Sequence, residues 1–174
     1  MKFISNRQST KAEGVPATCI VTTYDIYDRK IQEQYTDHST TLTKQFKYDY
    51  LDRLTREIDF NGNATVYEYT YDGQPTKVTN AVGESITTVY DLAGRQISVT
   101  DAQGNTTYTY YDKMGRVIKE TSPFDNTRTA ETKTYYDKNS NIVKTAVKSG
   151  DTTYQIQEYK YDNMGNVLGR KYHN

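Results

Sequence analysis

The stretch Tyr90-Asp91-Leu92-Ala93-Gly94-Arg95 decides the fold, because it returns 21 residues later as Tyr111-Asp112-Lys113-Met114-Gly115-Arg116. An aspartate followed three residues later by glycine is typical of a type I turn, in which the carboxylate accepts a backbone N–H two residues ahead. The glycine then takes a positive φ and completes a hairpin loop with a bulge. Each copy therefore predicts a tight bend between two antiparallel strands.

The Tyr-Asp pair recurs along the chain, which indicates a repeat architecture. Successive pairs are separated by 24, 23, 19, 21, 25 and 25 residues. Gly165 closes the last bend as Gly94 and Gly115 close theirs. Asp52 stands at the glycine position of the second bend, and Asp tolerates positive φ better than most residues. The seven pairs are Tyr24-Asp25, Tyr48-Asp49, Tyr71-Asp72, Tyr90-Asp91, Tyr111-Asp112, Tyr136-Asp137 and Tyr161-Asp162.

Three further copies depart from the pattern. Asp28 and Ser140 stand at the glycine position of the first and sixth bends. In the third copy, Pro75 stands where glycine is expected from Asp72. Proline cannot take a positive φ, so the sequence predicts a turn of another shape there.

A second set of turns falls between the Tyr-Asp pairs. Gly62, Gly83 and Gly104 each follow an Asp or Asn by three residues, and Pro123 suits position two of a type I turn. The segments between turns alternate with period two, and Tyr67, Tyr69 and Tyr71 are expected on one face of a strand. No sustained helical period is present. The sequence therefore predicts an all-β fold, an antiparallel β-meander with two strands per repeat.

These motifs resemble the RHS/YD-repeat family, whose pattern is Tyr-Asp, two variable residues, Gly-Arg and an Asp-rich turn with Gly. The family includes bacterial RHS and wall-associated proteins, cocoon subunits of toxin complexes, and teneurins. The resemblance implies that the hairpins form a long twisted or curled sheet, part of a spiral shell. It covers about seven repeats in residues 20–174, and residues 1–19 are expected to be an extension that adds one strand or is disordered.

The resemblance also implies a function without catalysis. The chain is expected to be a structural scaffold segment of a larger secreted or cell-surface protein of polymorphic-toxin type, whose shell encloses or displays another domain. Its expected partners are other repeats or a cargo domain of the same polypeptide. Exposed strand edges of a fragment also favour edge-to-edge self-association.

Composition limits the remaining function classes. The 22 basic and 22 acidic residues cancel, which argues against nucleic acid as a partner. Hydrophobic residues make up 34% of the chain and 18 residues are tyrosine, which favours a thin sheet over a thick aliphatic core. No apolar run approaches the roughly 18 residues of a membrane span. The apolar stretch within residues 1–7 is too short for a signal peptide. An extracellular or cell-surface location follows from the family alone.

Candidate chemistry is sparse. Cys19, His38 and His173 lack metal-ligand spacing, and no nucleophile motif occurs. The sequence thus predicts no enzyme activity, no cofactor and no metal, with structural roles for the Tyr-Asp pairs. Arg53, Arg95 and Arg116 are expected to pair with turn carboxylates or to cover tyrosine rings, with ligand binding as the alternative.

Carbohydrate binding is the alternative function. Tyr67, Tyr69 and Tyr71 form the candidate surface, because exposed aromatic rings stack on sugar rings. Saturable glycan binding that is lost in Tyr→Ala variants would favour this class, whereas buried rings would count against it.

Overall fold

A computed structural model describes residues 7–8, 19–37 and 39–173. The all-β prediction is confirmed: this part of the chain contains strands and turns and no helix. No helix long and apolar enough to cross a membrane occurs in it. The strands are β1 (Arg7–Gln8), β2 (Cys19–Tyr24), β3 (Lys30–Asp37), β4 (Thr40–Tyr48), β5 (Leu54–Ile58), β6 (Ala64–Tyr69), β7 (Pro75–Thr79), β8 (Ser85–Tyr90), β9 (Gln96–Thr100), β10 (Thr106–Tyr111), β11 (Val117–Pro123), β12 (Thr129–Tyr136), β13 (Ile142–Ser149), β14 (Gln155–Tyr161) and β15 (Val167–His173).

The chain divides between Ile86 and Thr87 into two compact units. In the first unit, β1 to β7 pair as antiparallel neighbours in the order in which they occur in the chain. The meander prediction of two strands per repeat is thus confirmed within this unit.

The second unit repeats this arrangement. From the part of β8 that pairs with β9 through to β15, every strand is antiparallel to the next. Within β9 to β15, each described connection joins two antiparallel neighbours, so paired strands are also consecutive in the chain.

The bends between strands have the geometry that the sequence predicts. At Asp112, the backbone N–H donates to the carbonyl of Arg116 at 2.9 Å, and the N–H of Gly115 donates back to Asp112 at 3.0 Å. Gly115 has φ of +81°, and a bulge lies beside Tyr111. The intermediate turns at Gly62, Gly83 and Gly104 use the same two hydrogen bonds, with φ between +84° and +87°.

Fully buried side chains are scarce, as the thin-sheet prediction requires. Among the described residues, Phe46 in the first unit and Ala146 in the second are the buried hydrophobic ones, 9% and 4% exposed. The ammonium groups of Lys30 and Lys44 lie 4.7 and 5.2 Å from the centre of the Phe46 ring. Cohesion must therefore come largely from cross-strand contacts and turn hydrogen bonds.

The prediction of a turn with Pro123 at its second position is wrong. Pro123 ends β11 and pairs with Thr129. The bend begins one residue later, where Phe124 N–H donates to the carbonyl of Arg128 at 2.8 Å and Asp125 supplies the carboxylate. Proline is tolerated here because a strand end needs fewer backbone donors. Of the predicted extension 1–19, residues 1–6 and 9–18 lie outside the described residues.

Candidate functional site: a ladder of aspartate, arginine and tyrosine

The aspartate that opens six of the repeat bends uses its two carboxylate oxygens differently. Asp112 Oδ1 accepts the backbone N–H groups of Met114 and Arg116 at 2.8 and 3.0 Å, and Oδ2 accepts Arg116 Nε at 2.7 Å. One side chain therefore satisfies both backbone donors of the turn. The Oδ1 pattern recurs at Asp25, Asp49, Asp91, Asp137 and Asp162.

The residue four positions after the aspartate determines whether the side chains of the bend also contact the next repeat. An asparagine at this position, as in Asn141 and Asn166, returns its amide to Oδ2 of its own aspartate. An arginine makes the same contact through Nε, and in Arg29, Arg95 and Arg116 also through Nη2, which leaves Nη1 for another partner. The arginines at this position are Arg29, Arg53, Arg95 and Arg116.

In the first unit, the arginine of one bend contacts the next bend. Arg53 lies over the ring of Tyr69 at 4.9 Å and donates from Nη1 to the carbonyl of Thr70 at 2.6 Å. Arg29 lies over the ring of Tyr48 at 5.1 Å and donates to the carbonyl of Asp49 at 3.1 Å. Each arginine thereby joins two consecutive repeats.

The second unit contains the same contacts. Arg116 lies over the ring of Tyr136 at 4.5 Å and donates to the carbonyl of Asp137 at 3.2 Å. Arg95 lies over the ring of Tyr111 at 4.7 Å. The expectation that these arginines pair with turn carboxylates or cover tyrosine rings is confirmed, and a single side chain does both.

The tyrosine hydroxyl supplies a second link between repeats. Tyr48 donates to the carbonyl of Lys30 at 2.8 Å, and Tyr69 donates to the carbonyl of Leu54 at 2.7 Å. Burial raises the pKa of both hydroxyl groups, so they remain protonated donors. In the second unit Tyr111, Tyr136 and Tyr161 donate to the carbonyls of Gln96, Val117 and Ile142. We call the set of turn aspartates, arginines and following tyrosines the turn ladder. It consists of Asp25, Asp49, Asp91, Asp112, Asp137, Asp162, Arg29, Arg53, Arg95, Arg116, Tyr48, Tyr69, Tyr111, Tyr136 and Tyr161.

The third bend begins two residues earlier than the sequence predicts. Thr70 N–H donates to the carbonyl of Gln74 at 2.8 Å, Gly73 N–H donates to the carbonyl of Thr70 at 3.1 Å, and Gly73 has φ of +91°. The predicted turn of another shape is therefore wrong, because Gly73 occupies the glycine position and Pro75 begins β7. Tyr69 is the tyrosine of this repeat, whereas Tyr71 and Asp72 lie inside the bend.

Two bends without glycine use side chains that contact the preceding arginine. Asp52 and Ser140 have φ of +62° and +69°. Arg29 Nη1 lies 2.6 Å from Asp52 Oδ1, and Arg116 Nη1 donates to Ser140 Oγ at 3.1 Å. These contacts offset part of the backbone strain of a non-glycine residue at positive φ.

The turn hydrogen bonds also lower the pKa of the aspartates. The Arg95 guanidinium holds the pKa of Asp91 below its usual range, and the side-chain amide of Asn105 does the same for Asp101. The ionised form of each carboxylate therefore stabilises the folded bend.

Asp112→Ala is expected to lower the thermal unfolding midpoint by about 5 °C, because two backbone N–H groups lose their acceptor. Asp112→Asn retains Oδ1, as Asn80 does naturally when it accepts the N–H groups of Val82 and Glu84 at 3.1 and 3.0 Å. Its midpoint should fall by less than about 2 °C. Differential scanning calorimetry measures both, and equal losses in the two variants would contradict the assigned role of Oδ1.

A second charged group lies in the middle of the second unit. Glu131 accepts hydrogen bonds from Lys119 at 2.6 Å and Lys133 at 2.8 Å, and the hydroxyl of Tyr154 donates to it as well. Lys119, Lys133 and Tyr154 together lower the pKa of Glu131 to about 2, with Lys119 making the largest contribution. Glu131 therefore stays ionised under all but strongly acidic conditions.

Glu131 gives a pH-dependent contribution to stability. Because its folded pKa of about 2 lies below the ordinary value of 4.5, its stabilisation is fully present above pH 4.5 and is lost as the pH falls toward about 2. At pH 6, Glu131→Gln is expected to lower the free energy of unfolding by about 2 kcal/mol after solvent screening. Urea unfolding at about pH 6 and pH 3 should show this difference shrink with acidity. A constant difference would contradict the prediction.

The three tyrosines predicted to share one face do not form a row. A bulge interrupts β6 between Glu68 and Tyr69. Tyr69 is half-buried under Arg53, and Tyr67 is half-buried, whereas Tyr71 is 87% exposed in the bend beyond the strand. The sequence pattern missed the bulge, which breaks the alternation of side chains.

No group of three or more His, Cys, Asp or Glu residues suited to a metal ion occurs among residues 19–37 and 39–173. His173 Nε2 lies 3.5 Å from Glu158 Oε2, whereas His38 is outside the described residues.

Comparison with protein families identifies the repeat. The RHS Repeat model matches residues 48–85 and 90–127, which include the ladder residues Arg53, Tyr69, Arg95 and Tyr111. No curated protein matches the chain.

Solved structures of toxin complexes share the fold. The crystal structure of TcdB2-TccC3 aligns with a TM-score of 0.67 at 14% identity, over 95% of this chain and 11% of that one. TcdB2-TccC3 without its hypervariable C-terminal region gives 0.68 at 14% identity, over 88% and 9%. A Tc holotoxin pore of Photorhabdus luminescens gives 0.59 at 13% identity, over 97% and 12%. The chain thus spans about a tenth of the length of the structures that it matches.

Proposed function

We propose that this chain, which matches the RHS Repeat model over residues 48–85 and 90–127, is a wall segment of a larger protein whose β-shell encloses or displays another domain. It acts as a scaffold and has no catalytic activity of its own. The likeness to TcdB2-TccC3 supports a parent protein of toxin type that is secreted or held at the cell surface.

The turn ladder is the observation that carries this proposal. A wall must hold its shape while both of its faces remain accessible, and it therefore cannot depend on a thick core. Contacts such as Arg53 to Tyr69 and Arg116 to Tyr136 place cohesion at the bends, between consecutive repeats. Stability then accumulates repeat by repeat, as in other repeat proteins, and the length of the wall is free to vary.

An in-register deletion in the full-length gene product tests the proposal. Removing residues 91–111 joins Tyr90 directly to Asp112, which preserves a Tyr-Asp bend and removes one complete repeat. The shortened wall is expected to remain folded but to leave the enclosed domain open to added protease. Tyr71→Ala serves as the control, because this exposed side chain makes no ladder contact of the kind seen at Tyr69. Equal protection of the enclosed domain before and after the deletion would contradict enclosure.

Carbohydrate binding remains a second candidate because of three exposed rings at successive bends of the first unit. Tyr27, Tyr50 and Tyr71 are 69%, 82% and 87% exposed, and the Arg29 guanidinium lies 5.1 Å from the centre of the Tyr27 ring. These rings, in place of Tyr67 and Tyr69, are the surface on which sugars would stack. Calorimetric titration of glycans against the intact chain and against Tyr50→Ala/Tyr71→Ala tests this function, and the absence of saturable binding would remove it.

A further inference from the structure

The strand register of the second unit places most of the charged side chains of β11 to β15 on one face of the sheet. Directly paired residues of antiparallel strands lie on the same face, as do residues two positions apart in one strand. From Lys119, the pairing passes through Lys133, Ala146, Ile156 and His173. This row and the residues two positions away from it on each strand define one face of β11 to β15, which we call the lysine face.

The lysine face has an excess of four positive charges. Six lysines and two glutamates lie on it, whereas the opposite face of the same five strands carries one acidic residue, Glu120, and one basic residue, Arg170. The zero net charge of the whole chain therefore conceals a strongly cationic surface. Its lysines are Lys119, Lys133, Lys144, Lys148, Lys160 and Lys171, and its glutamates are Glu131 and Glu158.

Four of these lysines form no ion pair within residues 39–173, whereas Glu131 pairs with Lys119 and Lys133. In the strand register, Glu158 lies opposite Lys144 and Lys171. Glu131 lies opposite Lys148, and Lys160 lies opposite Gly169. Lys119 and Lys133 also face each other directly across β11 and β12. Like charges in such a position destabilise a sheet, and Glu131 compensates this pair. The positive charge of the other four lysines would be compensated by an external polyanion.

The aromatic rings on the lysine face narrow the class of polyanion. The ammonium group of Lys144 lies 5.5 Å from the centre of the Tyr135 ring, and those of Lys133 and Lys148 lie 4.9 and 6.0 Å from Tyr154. These ammonium groups occupy the ring faces on which the bases of a single-stranded nucleic acid or the rings of a sugar would stack. Carboxylates need only the ammonium groups, which favours an acidic polypeptide.

We propose that the lysine face binds an acidic segment of a partner polypeptide. An extended segment directs every second side chain to one side, about 7 Å apart, and its carboxylates pair with Lys144, Lys148, Lys160 and Lys171. This inference goes beyond the scaffold role and does not depend on it, because a wall that encloses no domain would still present the same face.

Fluorescence anisotropy of a labelled oligoglutamate peptide of about ten residues, titrated with the intact chain at about 0.05 M salt, tests the proposal. Saturable binding is expected, and it should weaken at least about fivefold when salt rises to about 0.3 M. Lys144→Gln/Lys148→Gln should weaken binding by about tenfold. Lys113→Gln/Lys138→Gln removes the same charge from two bends off this face and should weaken it less than about twofold.

Four results would overturn the proposal. They are the absence of saturable peptide binding, binding that is insensitive to salt, equal weakening in the two double variants, and tighter binding of an oligonucleotide or a sulfated polysaccharide than of the peptide. Circular dichroism of each variant distinguishes lost contacts from lost folding. A fold that survives in Lys144→Gln/Lys148→Gln together with weaker binding supports the assigned face.

Discussion

Tyr69→Ala is expected to lower the free energy of unfolding by about 3 kcal/mol, whereas Tyr71→Ala should change it by less than about 0.5 kcal/mol. Tyr69 packs beneath Arg53 and donates its hydroxyl to the carbonyl of Leu54 at 2.7 Å. Tyr71, two positions away, is 87% exposed. The pair compares the same residue type in the same repeat, inside and outside the turn ladder.

Urea unfolding followed by far-ultraviolet circular dichroism measures both variants. Tyr69→Phe separates the two parts of the effect, because it keeps the ring and removes only the hydroxyl, at a cost of about 1 kcal/mol. If Tyr71→Ala proved as destabilising as Tyr69→Ala, the third bend would have the register of its Tyr-Asp pair, and the ladder would be incorrectly assigned there.

The third bend also shows where sequence reasoning succeeded and where it failed. The Asp-to-Gly spacing correctly predicted the hairpins, because turn chemistry depends on residues that are adjacent in the chain. The same reasoning chose Tyr71-Asp72 on the identity of the pair alone. Counting from Tyr69 instead gives spacings of 21 residues from Tyr48 and 21 to Tyr90, equal to the next spacing along the chain. Regular spacing was thus the better signal.

The contacts between repeats were less accessible to sequence reasoning. Arginine was expected to pair with an aspartate or to cover a tyrosine ring. The sequence alone does not identify that ring, because the tyrosine belongs to the next repeat and lies two strands away. A bulge lies beside Tyr48, Tyr69 and Tyr111, whose hydroxyl groups bond to the preceding repeat. A bulge depends on the paired strand, which the local sequence does not show. The lysine face has the same origin, because Lys119, Lys133 and Lys144 are scattered in sequence and meet only through strand register.

The turn ladder also explains how two kinds of bend coexist. Arg29, Arg53, Arg95 and Arg116 extend to the next bend, whereas Asn141 and Asn166 close only their own. Where asparagine stands, the tyrosine hydroxyl still joins the repeats, as Tyr161 does to Ile142 at 2.7 Å. The junctions at Tyr48, Tyr69, Tyr111, Tyr136 and Tyr161 thus share the hydroxyl link. The arginine link is added only where arginine stands, so repeats can differ in sequence at this position while the strand pairing continues.

Gly104→Val is expected to lower the free energy of unfolding by about 2 kcal/mol through the backbone alone. Gly104 has φ of +86°, and a Cβ added there would meet no atom within 4 Å outside its chain neighbours, so a clash of the Cβ with the rest of the fold does not explain the loss. A β-branched residue is disfavoured at positive φ because its Cβ approaches the neighbouring carbonyl oxygen.

Gly169→Val is the matched control for this backbone effect. Gly169 lies in β15, its φ is outside the positive range, and its added Cβ would also meet nothing within 4 Å. Valine favours strands, so this variant should be as stable as the original chain or more stable by about 0.5 kcal/mol. Equal destabilisation at the two positions would mean that side-chain bulk, and not the positive φ of the repeated turn, limits substitution. The bends would then not be the fixed points from which the sheet takes its register.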